Sequence, residues 1–128
     1  NIFELQKALG FRDVLKSNRI INYFIADIRR HSLIMVVSSL YNYFSRILMF
    51  HSVAQNSEQE ILKTLKLSSA FFLREYRQSA RNYPSAKVKR VIGILKENDL
   101  KSKGIDFNKT NTGDGELMKE MVWKILHV

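Results

Sequence analysis

Residues 32–48 read SLIMVVSSLYNYFSRIL and carry the strongest structural signal in the chain. Apolar side chains recur there at the three- and four-residue spacing of an α-helix, and Ser32 is a residue type that caps helix N-termini. The apolar face is formed by Leu33, Val36, Val37, Leu40, Phe44, Ile47 and Leu48, and it is widened by Ile34, Met35, Tyr41 and Tyr43. So broad an apolar face predicts a helix that other helices surround.

The same region is too short and too polar to predict a membrane span. The longest stretch without a formal charge, His31 to Ser45, has 15 residues and includes serines, an asparagine and two tyrosines. A transmembrane helix needs roughly 18 or more apolar residues. The sequence therefore predicts a buried core helix and no membrane contact.

The composition predicts one all-α domain over residues 1–128. The length is near the commonest single-domain size, and 45% hydrophobic with 26% charged residues is typical of a globular chain. A single proline, Pro84, and five glycines supply little of the turn chemistry that many short strands need. The absence of cysteine excludes disulfides and thiol chemistry and favours a cytoplasmic location. Because residue 1 is Asn, we expect a fragment of a longer protein.

Hydrophobic periodicity and capping residues predict a compact bundle of about six to seven helices. Besides the helix from Ser32, we expect helices over 2–9, 13–28, from Ser57, from Ser69 to Pro84, from Ser85 to Gly104, and over 114–126. Gly10 is expected to end the first helix in the left-handed conformation. Phe71, Phe72 and Leu100 are expected to face the core, and residues 105–113 are expected to form a mobile loop.

The sequence predicts no catalytic, metal or cofactor site. His31, His51 and His127 are far apart in sequence, and the close carboxylates, such as Glu97 with Asp99, lie at predicted helix ends. The glycines do not form a phosphate-binding loop. An enzyme is therefore not expected from this chain.

Positive charge is concentrated in the second half of the chain. The segment from Lys63 to Lys103 holds eleven Lys or Arg residues against three acidic ones, in a chain of net charge +9. Helical spacing predicts a basic face that consists of Arg74, Arg77 and Arg81, extended by Lys87 and Arg90. Such a face suits nucleic acid or an acidic partner, and it is equally typical of a solvated surface that keeps a protein soluble.

Residues 65–72 also imitate a helix-turn-helix. In DNA-binding proteins of that type, the start of the second helix offers polar side chains to base edges in the major groove. Here it offers Phe71, Phe72 and Leu73, which core packing explains better. A free-standing helical nucleic-acid-binding module stays the alternative hypothesis.

Several stretches together resemble a known family. They are Phe3-Glu4-Leu5 leading to Gly10, Ile21-Asn22-Tyr23-Phe24, Ser39-Leu40-Tyr41-Asn42-Tyr43-Phe44-Ser45, and Asp99-Leu100-Lys101-Ser102-Lys103-Gly104 before a Leu-containing last helix. In order and spacing they resemble the C-terminal domain of the bacterial DNA polymerase III delta subunit, over essentially all 128 residues. The turn-containing segment Leu65 to Phe72 fits as well, because that family is similar to helix-turn-helix proteins there.

This resemblance implies an all-helical collar domain of the clamp loader, which places the sliding clamp on primed DNA during replication. The implied partners are the other clamp-loader subunits, of the gamma/tau and delta-prime types. The sliding clamp would be contacted through AAA+-type and lid domains that this chain lacks, and DNA is a further possible partner. The implied role is assembly within a polymerase holoenzyme, with no active site or cofactor in this chain.

Collar interfaces are expected to use large apolar side chains at the edges of the bundle. The candidates are Tyr41, Tyr43, Phe50 and Trp123, on the broad third helix and the last helix. The alternative is that these four residues are ordinary core or rim residues.

Overall fold

A computed structural model describes residues 1–104 and 113–128, which form seven α-helices and no strand. The helices are α1 (Ile2–Gly10), α2 (Val14–Ala26), α3 (Leu33–Val53), α4 (Glu58–Leu65), α5 (Leu73–Asn82), α6 (Ser85–Ser102) and α7 (Asp114–Leu126). A single 3-10 turn, Ala70–Phe72, precedes α5. The predicted compact all-α bundle is confirmed. The predicted mobile loop 105–113 lies, except for Gly113, outside the described residues.

Side-chain caps start four of the seven helices, α1 to α4, and two of these caps, Ser32 and Ser57, are predicted by the sequence. The Ser32 and Ser57 hydroxyls each accept a hydrogen bond of 3.3 Å from the backbone amide three residues later. A full reciprocal capping box lies at the start of α1, where Asn1 Oδ1 accepts from the Glu4 amide and the Glu4 carboxylate reaches back to the Asn1 nitrogen. Each cap satisfies an amide that the helix itself leaves without a partner.

Helix α3 is the centre of the bundle. It packs most extensively on α6 and also contacts α1, α4, α5 and α7. Its inward side chains, including Leu33, Leu40, Phe44 and Ile47, are inaccessible to solvent. By length and composition α3 could cross a membrane, with a mean hydropathy of 1.4, but a core helix passes the same test. Because five helices surround α3, its predicted position in the core is confirmed.

Gly10 has a different structural role from the predicted one. It lies inside α1 without a positive φ, and Phe11 follows as the C-cap. The reason for glycine is a close approach of helices, because a Cβ atom built there would lie 2.5 Å from the Tyr43 hydroxyl and still closer to Ser79 Oγ. These two hydroxyls are buried and share a hydrogen bond of 2.8 Å. Gly10 therefore lets α1, α3 and α5 meet.

The second glycine prediction, that Gly104 ends α6, is confirmed. Gly104 follows α6 with a φ of +71°, the left-handed conformation that glycine adopts without steric cost. Leu100, by contrast, was expected to face the core and is 47% exposed. It lies in the last turn of α6, past the buried residues Val88, Val91 and Leu95 of the same helix.

We expect Gly10→Ala to lower the free energy of unfolding by about 1–3 kcal/mol, the usual cost of overpacking a core. Gly93→Ala is the matched control, because Gly93 lies in α6 and a Cβ there would meet no atom within 4 Å. That change should instead stabilise the protein by about 0.5–1 kcal/mol, since alanine favours helix over glycine. Urea unfolding followed by circular dichroism measures both. Equal stability changes in the two variants would contradict the close approach at Gly10.

Candidate macromolecular interface

Phe71 and Phe72 lie on the surface, contrary to the prediction that they face the core. Phe71 is 82% exposed and Phe72 is 43% exposed, whereas the next residue, Leu73, is buried. The cause is local: Lys66 ends α4 in the left-handed conformation, and the Ser69 hydroxyl caps a 3-10 turn rather than the first turn of α5. The tighter turn changes the direction of both rings, so that only Leu73 begins the buried stripe of α5.

These two rings border an open groove between α1 and α5. Its lining residues are Lys7 from α1, Phe11 directly after α1, Phe71 and Phe72 from the 3-10 turn, and Arg74, Glu75, Arg77, Gln78, Arg81 and Asn82 from α5. We call this the aromatic–basic groove, and its volume is about 760 Å³. Four cations and one carboxylate line it, so it attracts anions, while three phenylalanines give it exposed apolar surface.

The groove gathers three of the five predicted basic residues. Arg74, Arg77 and Arg81 are exposed and line it together, as their spacing on one helix predicts. Lys87 and Arg90 do not line it, because they belong to α6, beyond the chain reversal at Pro84. The predicted extension of the basic face across Pro84 is therefore not part of the groove.

The α1 side of the groove was missed in the sequence. Lys7 lies in α1 and Phe11 directly follows that helix, and the Lys7 ammonium lies 5.5 Å from the centroid of the Phe11 ring. The four-residue spacing of Lys7 and Phe11 is visible in the sequence. No local feature, however, predicts that these two residues lie beside a helix some seventy residues later. A long-range contact was needed to reveal it.

Beneath the groove, the ends of α1 and α5 are joined by side-chain to backbone hydrogen bonds. The Tyr83 hydroxyl donates to the Leu9 carbonyl at 2.8 Å, and Asn82 Nδ2 donates to the Gly10 carbonyl at 2.9 Å. Arg12, whose φ is +52°, donates back to the Asn82 carbonyl at 3.1 Å and to the Leu126 carbonyl at 2.8 Å. We call this network the α1–α5 lock.

Aromatic stacking reinforces the lock. The Arg12 guanidinium carbon lies 4.1 Å from the centroid of the Tyr83 ring, within the range of a cation–π interaction. Burial raises the pKa of Tyr83 to about 12, although the charge of Arg12 acts in the opposite direction. The Tyr83 phenol therefore stays a protonated donor to Leu9 well above neutral pH.

The four predicted interface residues divide into two pairs. Tyr41 is 44% exposed and Trp123 is 60% exposed, so both are available on the surface. Tyr43 and Phe50 are only 1% and 6% exposed, and their prediction as exposed edge residues is wrong. The reason is that α3 is covered on several sides: Tyr43 meets Ser79 and the Tyr76 ring of α5, and Phe50 lies beneath the Arg77 guanidinium.

Trp123 is held in a defined position. Its ring stacks on that of His127 with centroids 4.3 Å apart, and His127 Nδ1 is hydrogen-bonded to the Trp123 carbonyl at 2.7 Å. His127 follows the last residue of α7, four residues after Trp123, so the two rings form an aromatic stack at that end of the helix. Aromatic residues are enriched in protein interfaces.

The described residues contain no group of three or more His, Asp or Glu side chains placed to hold a metal ion. Comparison of the chain with protein-family models, with curated proteins and with solved structures finds no significant match. The surface features of the bundle therefore carry the functional interpretation, and the aromatic–basic groove and the exposed Trp123 are the strongest of them.

The raised pKa of Tyr83 predicts a loss of stability in alkaline solution. The unfolded phenol ionises at its ordinary pKa of 10.0, but the folded one resists ionisation up to about 12. The stabilisation from the un-ionised Tyr83 phenol is therefore complete below pH 10. It falls by about 2–3 kcal/mol as the pH rises towards 12. Urea unfolding at a series of pH values, followed by circular dichroism, measures the decline.

Tyr83→Phe is the control for this assignment. The variant loses the hydrogen bond to Leu9 and should be about 1 kcal/mol less stable near neutral pH. It should also lose stability less steeply above pH 10, because one ionisation is absent. An identical decline in both proteins would show that Tyr83 is not responsible.

Proposed function

We propose that this chain is a collar-type oligomerisation domain, similar to the C-terminal domain of the bacterial DNA polymerase III delta subunit. In this proposal it contributes to the assembly of the clamp loader in the cytoplasm. The observation that carries it is the number of large apolar side chains left on the surface of a bundle whose core is already closed. Thirteen are exposed among residues 1–104 and 113–128, and they include Leu15 at 79%, Tyr23 at 67%, Met35 at 61% and Trp123 at 60%.

Several features support an assembly role over a solitary one. Scattered apolar surface residues are ordinary in any protein, but five of the seven helices of the described chain (α1, α2, α3, α6 and α7) each have at least one large exposed apolar residue. Aromatic residues and methionine are enriched at the centres of protein interfaces. Tyr41, Met35 and Trp123 combine those residue types with exposure on α3 and α7.

The role of the chain's own residues in this proposal is to hold neighbours. Exposed rings such as Trp123 would enter apolar pockets of gamma/tau and delta-prime type subunits, and the rigid core would keep those rings in register. The resemblance adds the sliding clamp as a partner of domains that lie outside this chain. No catalytic step is assigned to the chain, because the role needs only a stable surface.

The helix-turn-helix alternative has less support. Helices α4 and α5 are separated by a turn, but the 3-10 turn that leads into α5 is entirely apolar. Phe71 and Phe72 are exposed, so core packing no longer explains them, yet phenylalanine cannot form the hydrogen bonds that read base edges in a major groove. Reading of double-stranded DNA by this segment is therefore not proposed.

The collar proposal is tested by size-exclusion chromatography of the chain with gamma/tau and delta-prime type subunits. We expect co-elution that persists at high salt, because apolar burial is screened far less than charge pairing. A double variant, Trp123→Ala with Tyr41→Ala, should weaken the complex about 30-fold or more, the loss that truncated aromatic hot spots show.

The matched control keeps the rings: Trp123→Phe with Tyr41→Phe should retain most of the binding. Unchanged helicity in circular dichroism ensures that neither variant acts by unfolding, which the exposure of both residues predicts. No co-elution at either low or high salt would refute the collar proposal.

A further inference from the structure

The aromatic–basic groove combines two chemistries that a collar interface does not require. Its cations on α5 are all arginines, and Arg74 and Arg81 are spread over about 10 Å of helix at 1.5 Å per residue. Guanidinium groups bind phosphate through paired, geometrically matched hydrogen bonds, which a lysine ammonium cannot do. The groove is thus better suited to phosphates than a general basic patch.

The exposed rings supply the second chemistry. Phe71 and Phe72 form a T-shaped pair with centroids 5.5 Å apart and an interplanar angle of 85°. Two nearly perpendicular rings leave aromatic faces open to solvent, and Phe71 has little else in contact with it. An exposed phenylalanine face is a stacking surface for a planar base, and it needs no particular base because every base has a π-face.

We propose that the aromatic–basic groove binds single-stranded nucleic acid. The arginines contact successive phosphates, and bases stack on Phe71 and Phe72. A single strand is the favoured ligand because its bases are free to stack, whereas those of a duplex are paired and enclosed. Binding at this groove does not depend on the collar role, since none of Tyr41, Trp123 or Met35 lines it.

The groove is prepared for such a ligand before binding. The Arg77 guanidinium carbon lies 5.6 Å from the centroid of the buried Phe50 ring, and the α1–α5 lock fixes the spacing of the two walls. Glu75 is the one carboxylate of the lining, and it also borders a second groove on the α3 side, which places it at the margin between the two. Three arginines and Lys7 outweigh it.

The test is a fluorescence-anisotropy titration of the chain with a labelled oligothymidylate of about 15 nucleotides, near the upper end of the site sizes of single-strand-binding domains. We expect binding at low salt with a slope of about −2 in log K against log salt, for three phosphates on a single strand. Phe71→Ala should weaken binding about 5- to 100-fold, the usual effect of removing one stacked base. Arg74→Ala with Arg81→Ala should weaken it further and flatten the slope by about 1.4.

Matched variants separate stacking from charge and from folding. Phe71→Trp keeps an aromatic face and should bind as well as the original, whereas Phe71→Leu keeps only apolar bulk and should bind as poorly as Phe71→Ala. Arg29→Ala removes an exposed arginine outside the groove and should leave the groove slope unchanged. All four substituted positions are exposed, so circular dichroism should show the same helicity for every variant.

Three outcomes would overturn the inference. Binding that is absent at low salt excludes a nucleic-acid site. Binding that Arg29→Ala and the arginine pair weaken alike is a general charge effect with no groove. Competition by a short polyglutamate peptide as effective as that of unlabelled oligothymidylate assigns the groove to an acidic protein segment instead.

Discussion

Gly10 lies where three helices meet, and the close contact that it permits determines how α1 packs against α3 and α5. With no side chain, α1 comes close enough to α3 and α5 for the buried hydroxyls of Tyr43 and Ser79 to lie against its backbone. The carbonyls of Leu9 and Gly10, at the end of α1, are then within reach of Tyr83 and Asn82, and Leu9 also accepts from the Arg12 amide. A larger residue at position 10 would separate the helices and leave buried polar groups unpaired, which costs more than the lost packing alone.

The α1–α5 lock extends this contact to the rest of the chain. Arg12 connects the turn after α1 to the end of α5 and to the last turn of α7 through three backbone carbonyls, of Asn82, Leu126 and Val128. Carbonyls at helix C-termini carry partial negative charge. The Arg12 guanidinium is therefore attracted to these carbonyls and also satisfies their hydrogen-bonding capacity. Because one side chain joins segments more than a hundred residues apart, loss of Arg12 should loosen α7 and the groove together.

The sequence predicted the helices well and the surface poorly, for a physical reason that particular residues show. Periodicity reports which side of a helix is apolar, and it located α3 at the centre and Gly104 at the end of α6 correctly. Periodicity fails where a local turn or a distant contact decides whether a side chain points towards the core or towards solvent. Phe71 and Phe72 follow the apolar pattern but sit on a 3-10 turn that points them outward, and Tyr43 and Phe50 widen an apolar face that five neighbours cover. Gly10 resembled a helix terminator because the hydroxyls that require it belong to α3 and α5.

The two proposed surfaces depend on different forces, and their binding should respond to salt in opposite ways. Trp123 and Tyr41 offer apolar area outside the groove, and binding there depends on removing water from rings, an effect that salt strengthens slightly. The aromatic–basic groove depends on arginine–phosphate contacts that release counterions, an effect that salt weakens steeply. If both proposals hold, a change in ionic conditions or in strand availability would alter binding at the groove without dissociating the proposed collar contacts. The α1–α5 lock already joins the two walls of the groove through hydrogen bonds, so the proposed binding would need little reorganisation of the domain.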